Sequence, residues 1–152
     1  TETRSDRIYI HMINSVLPRI KNADMIGFVF DVNEHLQWMD EGGQSLTADI
    51  DYYQRIMDRS NASEKIGIAT KSDLLKSEFE EERFTSPRSA PDEFRKYVND
   101  RLLNGPYRGP IQSLQLTLHP TYLETETNGD AQRPVMPLQT FGMSQILKEV
   151  GD

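Results

Sequence analysis

The order of apolar and polar positions along this chain predicts helices and strands in alternation. Apolar residues recur at helical spacing over 6–21, which predicts an amphipathic helix that Pro18 bends or ends. The run Met25–Val32 is almost continuously apolar, a pattern typical of a strand buried on both faces of a parallel sheet. A polar loop over 33–45 is expected to follow this strand.

The middle of the chain continues the alternation. An apolar stripe predicts a second helix over 46–59, and the short run Lys65–Ala69 predicts a buried strand that ends at Thr70. Strand, helix and strand in this order form a βαβ unit, whose crossover is right-handed in almost all proteins. The first two strands are therefore expected to run parallel.

A third helix is predicted from Pro91 to about Leu103. Proline is favoured in the first helical turn, and the acidic residues that follow it suit a helix N-terminus. The predicted inner face carries Phe94, Tyr97, Val98 and Leu102.

The last third of the chain predicts three more segments. Alternating apolar residues over Ile111–Leu118 predict a strand with one buried face, and the polar stretch Glu124–Pro137 predicts a mobile loop. Phe141–Val150 predicts a short helix with Ile146, Leu147 and Val150 facing inward. We expect the strands that end at Val32, Thr70 and Leu118 to lie parallel in one sheet.

Composition narrows the class of protein. The 152 residues suffice for a single domain over 1–152, and 36% hydrophobic with 27% charged residues is typical of a soluble globular chain. The net charge of −7 disfavours nucleic acid and anionic lipid as partners. No run reaches the length of a membrane span, and the absence of cysteine excludes disulfides and thiolate metal sites. A cytoplasmic location is expected.

The stretch Thr70-Lys71-Ser72-Asp73 carries the most specific chemistry. It follows a predicted strand of a parallel sheet, and open α/β sheets bind ligands at the carboxyl ends of their strands. The tetrapeptide resembles the guanine-recognition motif of Ras-type GTPases, Asn/Thr-Lys-x-Asp. Gly27–Val32 is similar to the fourth strand of that family, at a similar distance from the motif, and Asp49–Tyr53 is faintly similar to Rag-type members.

The resemblance implies a fold and a ligand. The fold is a three-layer α/β Ras-like domain of the P-loop NTPase type, with a mainly parallel sheet, helices on both faces, and this chain as its carboxyl-terminal two-thirds. The implied ligand is GTP or GDP. Asp73 would accept hydrogen bonds from the ring N–H and the amine of guanine, Lys71 would lay its apolar stem along the base, and Thr70 would tie neighbouring loops together.

The chain departs from that family at the last base-contacting loop. The family has Ser-Ala-Lys there, whereas this chain has His119-Pro120-Thr121. Proline has no N–H to offer the guanine carbonyl. Either Thr121 or Tyr122 supplies a substitute donor, or the contact is lost.

The phosphate-binding loop Gly-x-x-x-x-Gly-Lys-Ser/Thr is absent from the sequence. That loop holds the phosphates and Mg²⁺, so hydrolysis and the metal are expected only if such a segment precedes Thr1. Because Thr1 is not a start methionine, we expect the chain to be an excised or processed segment. Asp40–Gly43 matches the family's Asp-x-x-Gly switch motif but follows the fourth-strand candidate, so we interpret it as a turn.

Three functions stay open on the sequence. The first is the base-recognition half of a GTPase. The second is a nucleotide-free pseudo-GTPase that serves as a scaffold for a protein partner. The third is an unrelated flavodoxin-like binding domain, in which Thr70–Asp73 is a surface turn. The three histidines, His11, His35 and His119, show no metal-ligand spacing and are expected to be exposed or hydrogen-bonded.

Overall fold

The computed structural model describes residues 17–42 and 61–151, together with Arg7, His11 and Ser15. The predicted helix over 46–59 lies outside the described residues, as does most of the predicted helix over 6–21. The described end of that first helix is α1, Leu17–Lys21. It continues past Pro18 and ends before the turn that leads into the first strand.

Three strands form a parallel sheet: β1 (Met25–Asp31), β2 (Glu64–Thr70) and β3 (Thr117–Pro120). Their order is β1-β2-β3, with every neighbouring pair parallel. The predicted parallel arrangement of these strands is therefore confirmed, and the protein is a mixed α/β structure with a small parallel sheet.

Burial along β1 differs from the prediction of a strand buried on both faces. Phe30 is fully buried and Phe28 packs against the core, whereas Val29 between them is 61% exposed. Successive strand residues point to opposite faces of the sheet, and the main core cluster lies on the face that carries Phe30. On the other face Ile66 of β2 is buried, but Val29 is not. An uninterrupted apolar run therefore does not by itself require two covered faces.

The prediction of a polar loop over 33–45 is wrong for residues 33–40. Val32–Asp40 form helix α2. Asp31 caps this helix, because its Oδ1 accepts a hydrogen bond from the N–H of Asn33 at 2.8 Å. Val32 and His35 are buried at helical spacing on its inner face. Leu36 also packs against the core, whereas Met39 is 46% exposed.

Two helices follow β2. A 3₁₀ turn at Ser72–Leu75 leads directly into α3, Lys76–Arg83, and α4 covers Pro91–Leu102. The predicted third helix is thus confirmed, including its inner face: Phe94, Tyr97, Val98 and Leu102 are all buried.

The predicted strand over Ile111–Leu118 is wrong at its start. Arg108–Ser113 form helix α5, and the strand begins only at Thr117. Pro110 fits the first turn of α5, because the N–H groups of that turn have no helical acceptor in any case. Gln115 then adopts a φ of 51°, which ends the helix and turns the chain into β3.

The carboxyl-terminal part contains two small antiparallel pairs. Strand β4 (Tyr122–Leu123) pairs with β7 (Thr140–Phe141), and β5 (Thr125–Asn128) pairs with β6 (Ala131–Pro134). The stretch 124–137 is therefore largely a hairpin and not the predicted loop. Gly129-Asp130 forms its two-residue turn, where Gly129 has a φ of +66°, the conformation that tight hairpins require.

The last helix, α6, covers Met143–Gly151, close to the prediction. Ile146 is buried as expected, but Leu147 is 65% exposed, so its predicted inward orientation is wrong. The side chain of Val150 lies outside the described residues. Among the helices that the structure describes, none has the length and apolarity needed to cross a bilayer.

Aromatic rings hold the helices to the sheet. Phe79 of α3 meets Phe94 of α4 edge-on at 5.1 Å between ring centroids, and Phe94 meets Phe141 of β7 at 5.6 Å. All three rings are buried. Such contacts add to the free energy of burying the rings, and they join α3, α4 and β7 to one another.

Candidate functional site

Thr70 ends the central strand and joins it to its neighbour. Its Oγ1 donates a hydrogen bond to the carbonyl oxygen of Phe30 on β1 at 3.1 Å. The side chain therefore links the carboxyl ends of two parallel strands. The partner is the backbone of β1, whereas the expected role of Thr70 was to tie neighbouring loops together.

Lys71 follows in the left-handed region, with a φ of 58° and a ψ of 32°. A residue other than glycine is uncommon there, and the turn moves the chain off the sheet into the 3₁₀ turn. The Lys71 Nζ lies 2.9 Å from Asp31 Oδ2. This hydrogen bond and the charge of Asp31 raise the pKa of the exposed Lys71 ammonium group.

Asp31, the last residue of β1, thereby connects this strand to α2 and to the Thr70–Asp73 loop. One carboxylate oxygen caps α2 and the other accepts a hydrogen bond from Lys71. The sequence places Asp31 only at a strand end, and in this structure its role is to hydrogen-bond within the protein. An aspartate beside a lysine at this edge is not by itself a catalytic pair.

The carbonyl oxygen of Ala69 is the centre of a second network. It accepts from Ser72 Oγ at 2.7 Å, from the Thr121 N–H at 2.8 Å and from Thr121 Oγ1 at 3.3 Å. The N–H of Ser72 in turn donates to the carbonyl oxygen of Thr121 at 3.1 Å. Both Ser72 and Thr121 are buried. These bonds hold the Thr70–Asp73 loop against the segment that follows β3.

This network decides what Thr121 can do. Its backbone N–H and its hydroxyl both donate to Ala69, so both donors already have an acceptor inside the protein. Ser72, the unspecified position of the motif, is a structural residue that the sequence pattern did not single out. Its signal, a hydroxyl three residues after the carbonyl that it contacts, is common in turns.

Asp73 lies in the 3₁₀ turn and lines a depression of about 340 Å³. Burial, together with the nearby charge of Glu124, raises the pKa of its carboxyl group. The depression is bordered by α3 on one side and by the β5–β6 hairpin on the other, with lining residues that include Lys76, Ser77, Thr125 and Gln132.

Glu124 is the best-anchored charge beside this depression. Its Oε1 accepts from Arg88 Nε at 3.1 Å and from Arg88 Nη2 at 2.9 Å, and its Oε2 lies 3.7 Å from Lys76 Nζ. Arg88 also donates to the carbonyl oxygen of Thr140 at 3.3 Å. Arg88 and Glu124 are 36 positions apart, so no local pattern predicts their contact.

The structure therefore brings the predicted residues to one edge of the sheet, but in two groups. Thr70 and Lys71 contact β1, with the Lys71 ammonium group on Asp31, and Thr121 packs beneath the loop. Asp73 faces the depression beside α3.

A second depression, of about 350 Å³, lies between α4 and the start of α6. Arg88 and Arg95 line it. Both already pair with carboxylates, Arg88 with Glu124 and Arg95 with Asp92. Its positive charge is therefore compensated within the protein.

One of the three histidines, His35, differs from the expectation that each is exposed or hydrogen-bonded. His11 is exposed, whereas His35 and His119 are buried. In the described part of the chain neither ring nitrogen of His35 has a hydrogen-bond partner, so His35 is neither exposed nor satisfied. Within the same part of the chain, no group of three or more His, Cys, Asp or Glu residues is arranged to hold a metal ion.

Comparison of the chain with protein-family models, with curated proteins and with solved structures gave no match. The function is therefore inferred from the fold and from the residues at the carboxyl ends of the parallel strands.

Proposed function

We propose that this chain is the base-recognition half of a guanine-nucleotide-binding domain with a three-layer, Ras-like arrangement. One observation carries the proposal: the Thr70–Asp73 loop follows the central strand of the parallel sheet, beside the ends of β1 and β3. Ligands of open α/β sheets bind outside the carboxyl ends of the strands. A loop with a lysine and an aspartate there has the chemistry to bind a purine base.

Asp73 is the residue that reads the base in this proposal. Guanine presents two adjacent donors on one edge, and a single carboxylate accepts from both. The depression beside Asp73, about 340 Å³, is at the lower end of the size of small-molecule pockets, about 300–1,000 Å³. Lys71 would contribute its apolar stem.

Thr70 and Thr121 are positioning residues in this proposal. Their hydroxyl groups donate to Phe30 and Ala69, which supports a role in holding the loop and not in contacting the base. Bound GTP or GDP would present the guanine edge to Asp73. The sequence has no phosphate-binding loop, so tight binding, Mg²⁺ and hydrolysis require a P-loop segment in addition.

The test is a nuclear magnetic resonance titration of the chain with GTP, ATP and XTP. We expect the amides of Thr70–Asp73 to shift with GTP, with a dissociation constant weaker than about 1 μM because phosphate contacts are missing. Asp73→Asn should weaken GTP binding by about 2–4 kcal/mol, because a charge-assisted pair is lost and an amide donor faces the donors of guanine. Xanthine has a carbonyl where guanine has its amine, so the variant should favour XTP more than the native protein does.

The matched control is Asp92→Asn. Asp92 lies on α4 with its side chain 91% exposed, so its substitution removes the same charge away from the loop and should leave the nucleotide order unchanged. An identical order of GTP, ATP and XTP for the native protein and Asp73→Asn would refute the role of Asp73.

A second function is favoured by a specific observation. Several large apolar side chains of the carboxyl-terminal part are exposed: Met136 (77%), Leu138 (61%), Met143 (42%) and Leu147 (65%). Exposed apolar surface is typical of sites that bind other proteins, which fits a nucleotide-free scaffold. Absence of any shift with all three nucleotides at millimolar concentration would favour this function.

A further inference from the structure

His35 lies on the inner face of α2 with none of its surface exposed. Neither ring nitrogen has a hydrogen-bond partner within the described residues. Gly105, in the turn after α4, lies directly against the ring, because a Cβ at residue 105 would overlap the imidazole. Buried polar groups without partners are uncommon in folded proteins. Within the described part of the chain, the ring is therefore held by packing and not by hydrogen bonds.

Among the described residues, no carboxylate acts as a counter-ion for an imidazolium at His35. Arg101 of α4 is positive and lowers the pKa of His35, after burial, which is the larger cause. Arg101 itself is bound by Glu78, with Nε 2.9 Å from Oε1. The titratable and charged groups around His35 are, on its own helix and cap, Asp31, Glu34 and Asp40; in the 3₁₀ turn, Asp73; and at the end of α4 and in the turn after it, Asp100, Arg101 and Tyr107.

Two of the nearby carboxylates are already engaged. Glu34 Oε2 accepts a hydrogen bond from the Tyr107 hydroxyl at 2.8 Å, and Asp31 binds Lys71 and caps α2. Asp73 lines the depression beside α3. A proton added to His35 would therefore create a positive charge in a buried position beside Arg101, which is unfavourable.

We propose that His35 makes the packing of α2 against the turn at residues 103–107 dependent on pH. The neutral ring packs against Gly105 and holds α2 in place, and protonation of the ring releases α2 while the rest of the fold persists. This proposal does not rest on nucleotide binding. It does reach the Thr70–Asp73 loop, because Asp31, which caps α2, also binds Lys71.

The direction of the pH dependence follows from the lowered pKa of His35. The ordinary value is 6.5, so above that pH both the packed and the released forms are neutral and the packing is fully stable. Below it the released form takes up the proton more readily than the packed form. The packing is therefore lost progressively as the pH falls below 6.5 toward the pKa of the buried ring.

The released unit is expected to be small. α2 fully buries only Val32 and His35, whereas the aromatic core around Phe79 and Phe94 lies in other helices. Elements with few buried contacts open at lower free energy than the core. Protonation of one histidine can then open α2 without unfolding α3 and α4.

The chain carries its own probe for this opening. Trp38 is the single tryptophan of the sequence and lies three residues after His35, on the same side of α2. We expect its fluorescence to change between about pH 7 and pH 5, with far-ultraviolet circular dichroism largely retained. Hydrogen exchange, corrected for intrinsic rates, should become about tenfold faster in 32–40 and stay unchanged in α4.

Two variants and one direct measurement decide the outcome. His35→Phe should abolish the fluorescence change, and His11→Gln, at an exposed histidine, should retain it. The native His35 ring, followed by nuclear magnetic resonance, should titrate together with Trp38 and below the ordinary value, which keeps the test valid if His35→Phe does not fold. The proposal is overturned if the fluorescence transition is unchanged in His35→Phe, or if the His35 ring titrates at or above pH 6.5. It is also overturned if the native protein shows no transition down to about pH 5, or if hydrogen exchange accelerates equally in α4.

Discussion

The contact between His35 and Gly105 makes a strong prediction for Gly105→Ala. A Cβ at this position would overlap Nδ1 and Cε1 of the buried ring. Overpacking a core by one methyl group costs about 1–3 kcal/mol. The φ of Gly105 is not among the positive values found at other glycines, so the backbone accepts alanine, which alone would add about 0.4–1 kcal/mol of stability. We expect a net loss of about 1–2 kcal/mol.

The same substitution should change sign when the ring is removed. In the His35→Ala background no imidazole meets the new methyl group, so only the gain of about 0.4–1 kcal/mol from the unfolded state applies. The double-mutant cycle should therefore give a coupling free energy of about 1–3 kcal/mol.

Urea denaturation at neutral pH, followed by circular dichroism, measures all four free energies of unfolding. Gly27→Ala is the control, because a Cβ there would lie 3.4 Å from Ile68 Cδ1, an ordinary contact, and it should show only the gain of about 0.4–1 kcal/mol, equal in both backgrounds. An equal cost of Gly105→Ala in both backgrounds would show that the ring does not pack against Gly105.

Two further predictions concern the aromatic core. Phe94→Ala should lower the free energy of unfolding by about 3–5 kcal/mol, because it leaves a cavity at a fully buried site. Phe84→Ala is the control, because this side chain is 92% exposed, and it should change the free energy of unfolding by less than about 0.5 kcal/mol. Equal effects of the two substitutions would contradict the assigned core. Burial, with the charge of Glu124, raises the pKa of Tyr122 to about 12 from the ordinary 10.0. The contribution of the neutral Tyr122 to stability is therefore complete below pH 10.0 and is lost as the pH rises toward 12. Unfolding curves measured at alkaline pH should show this loss of stability, and Tyr122→Phe should make the loss smaller.

The sequence predicted the elements that a local pattern specifies. The β1 and β2 strands contain short apolar runs and α4 has apolar residues at helical spacing, and their type and place agree with the structure. Helix α2 was missed because its inner face carries a histidine, which a hydropathy pattern counts as polar. Its start signal, Asp31 as cap before Val32, was present but was interpreted as the end of a strand.

The hairpin and α5 were missed for a different reason. Every side chain of the hairpin strands that the structure describes is exposed, so these strands carry no apolar alternation. Only Gly129-Asp130 marks the turn. In α5 the apolar residues Ile111 and Leu114 are three apart, a spacing that was interpreted as a strand because the run continues into β3.

The interactions that build the candidate site are even harder to predict from the sequence. The residues that hold the loop are Ser72 and Thr121, joined through the carbonyl of Ala69, and a backbone acceptor has no signature in the sequence. Because Thr70, Lys71 and Ser72 each direct a polar group to another part of the protein, three of the four motif positions have a structural role whatever the ligand. Asp73 alone lines the depression. The proposed base recognition therefore depends on the Asp73 carboxylate. Substitution of Asp73 distinguishes a nucleotide-binding site from a turn that has only a structural role.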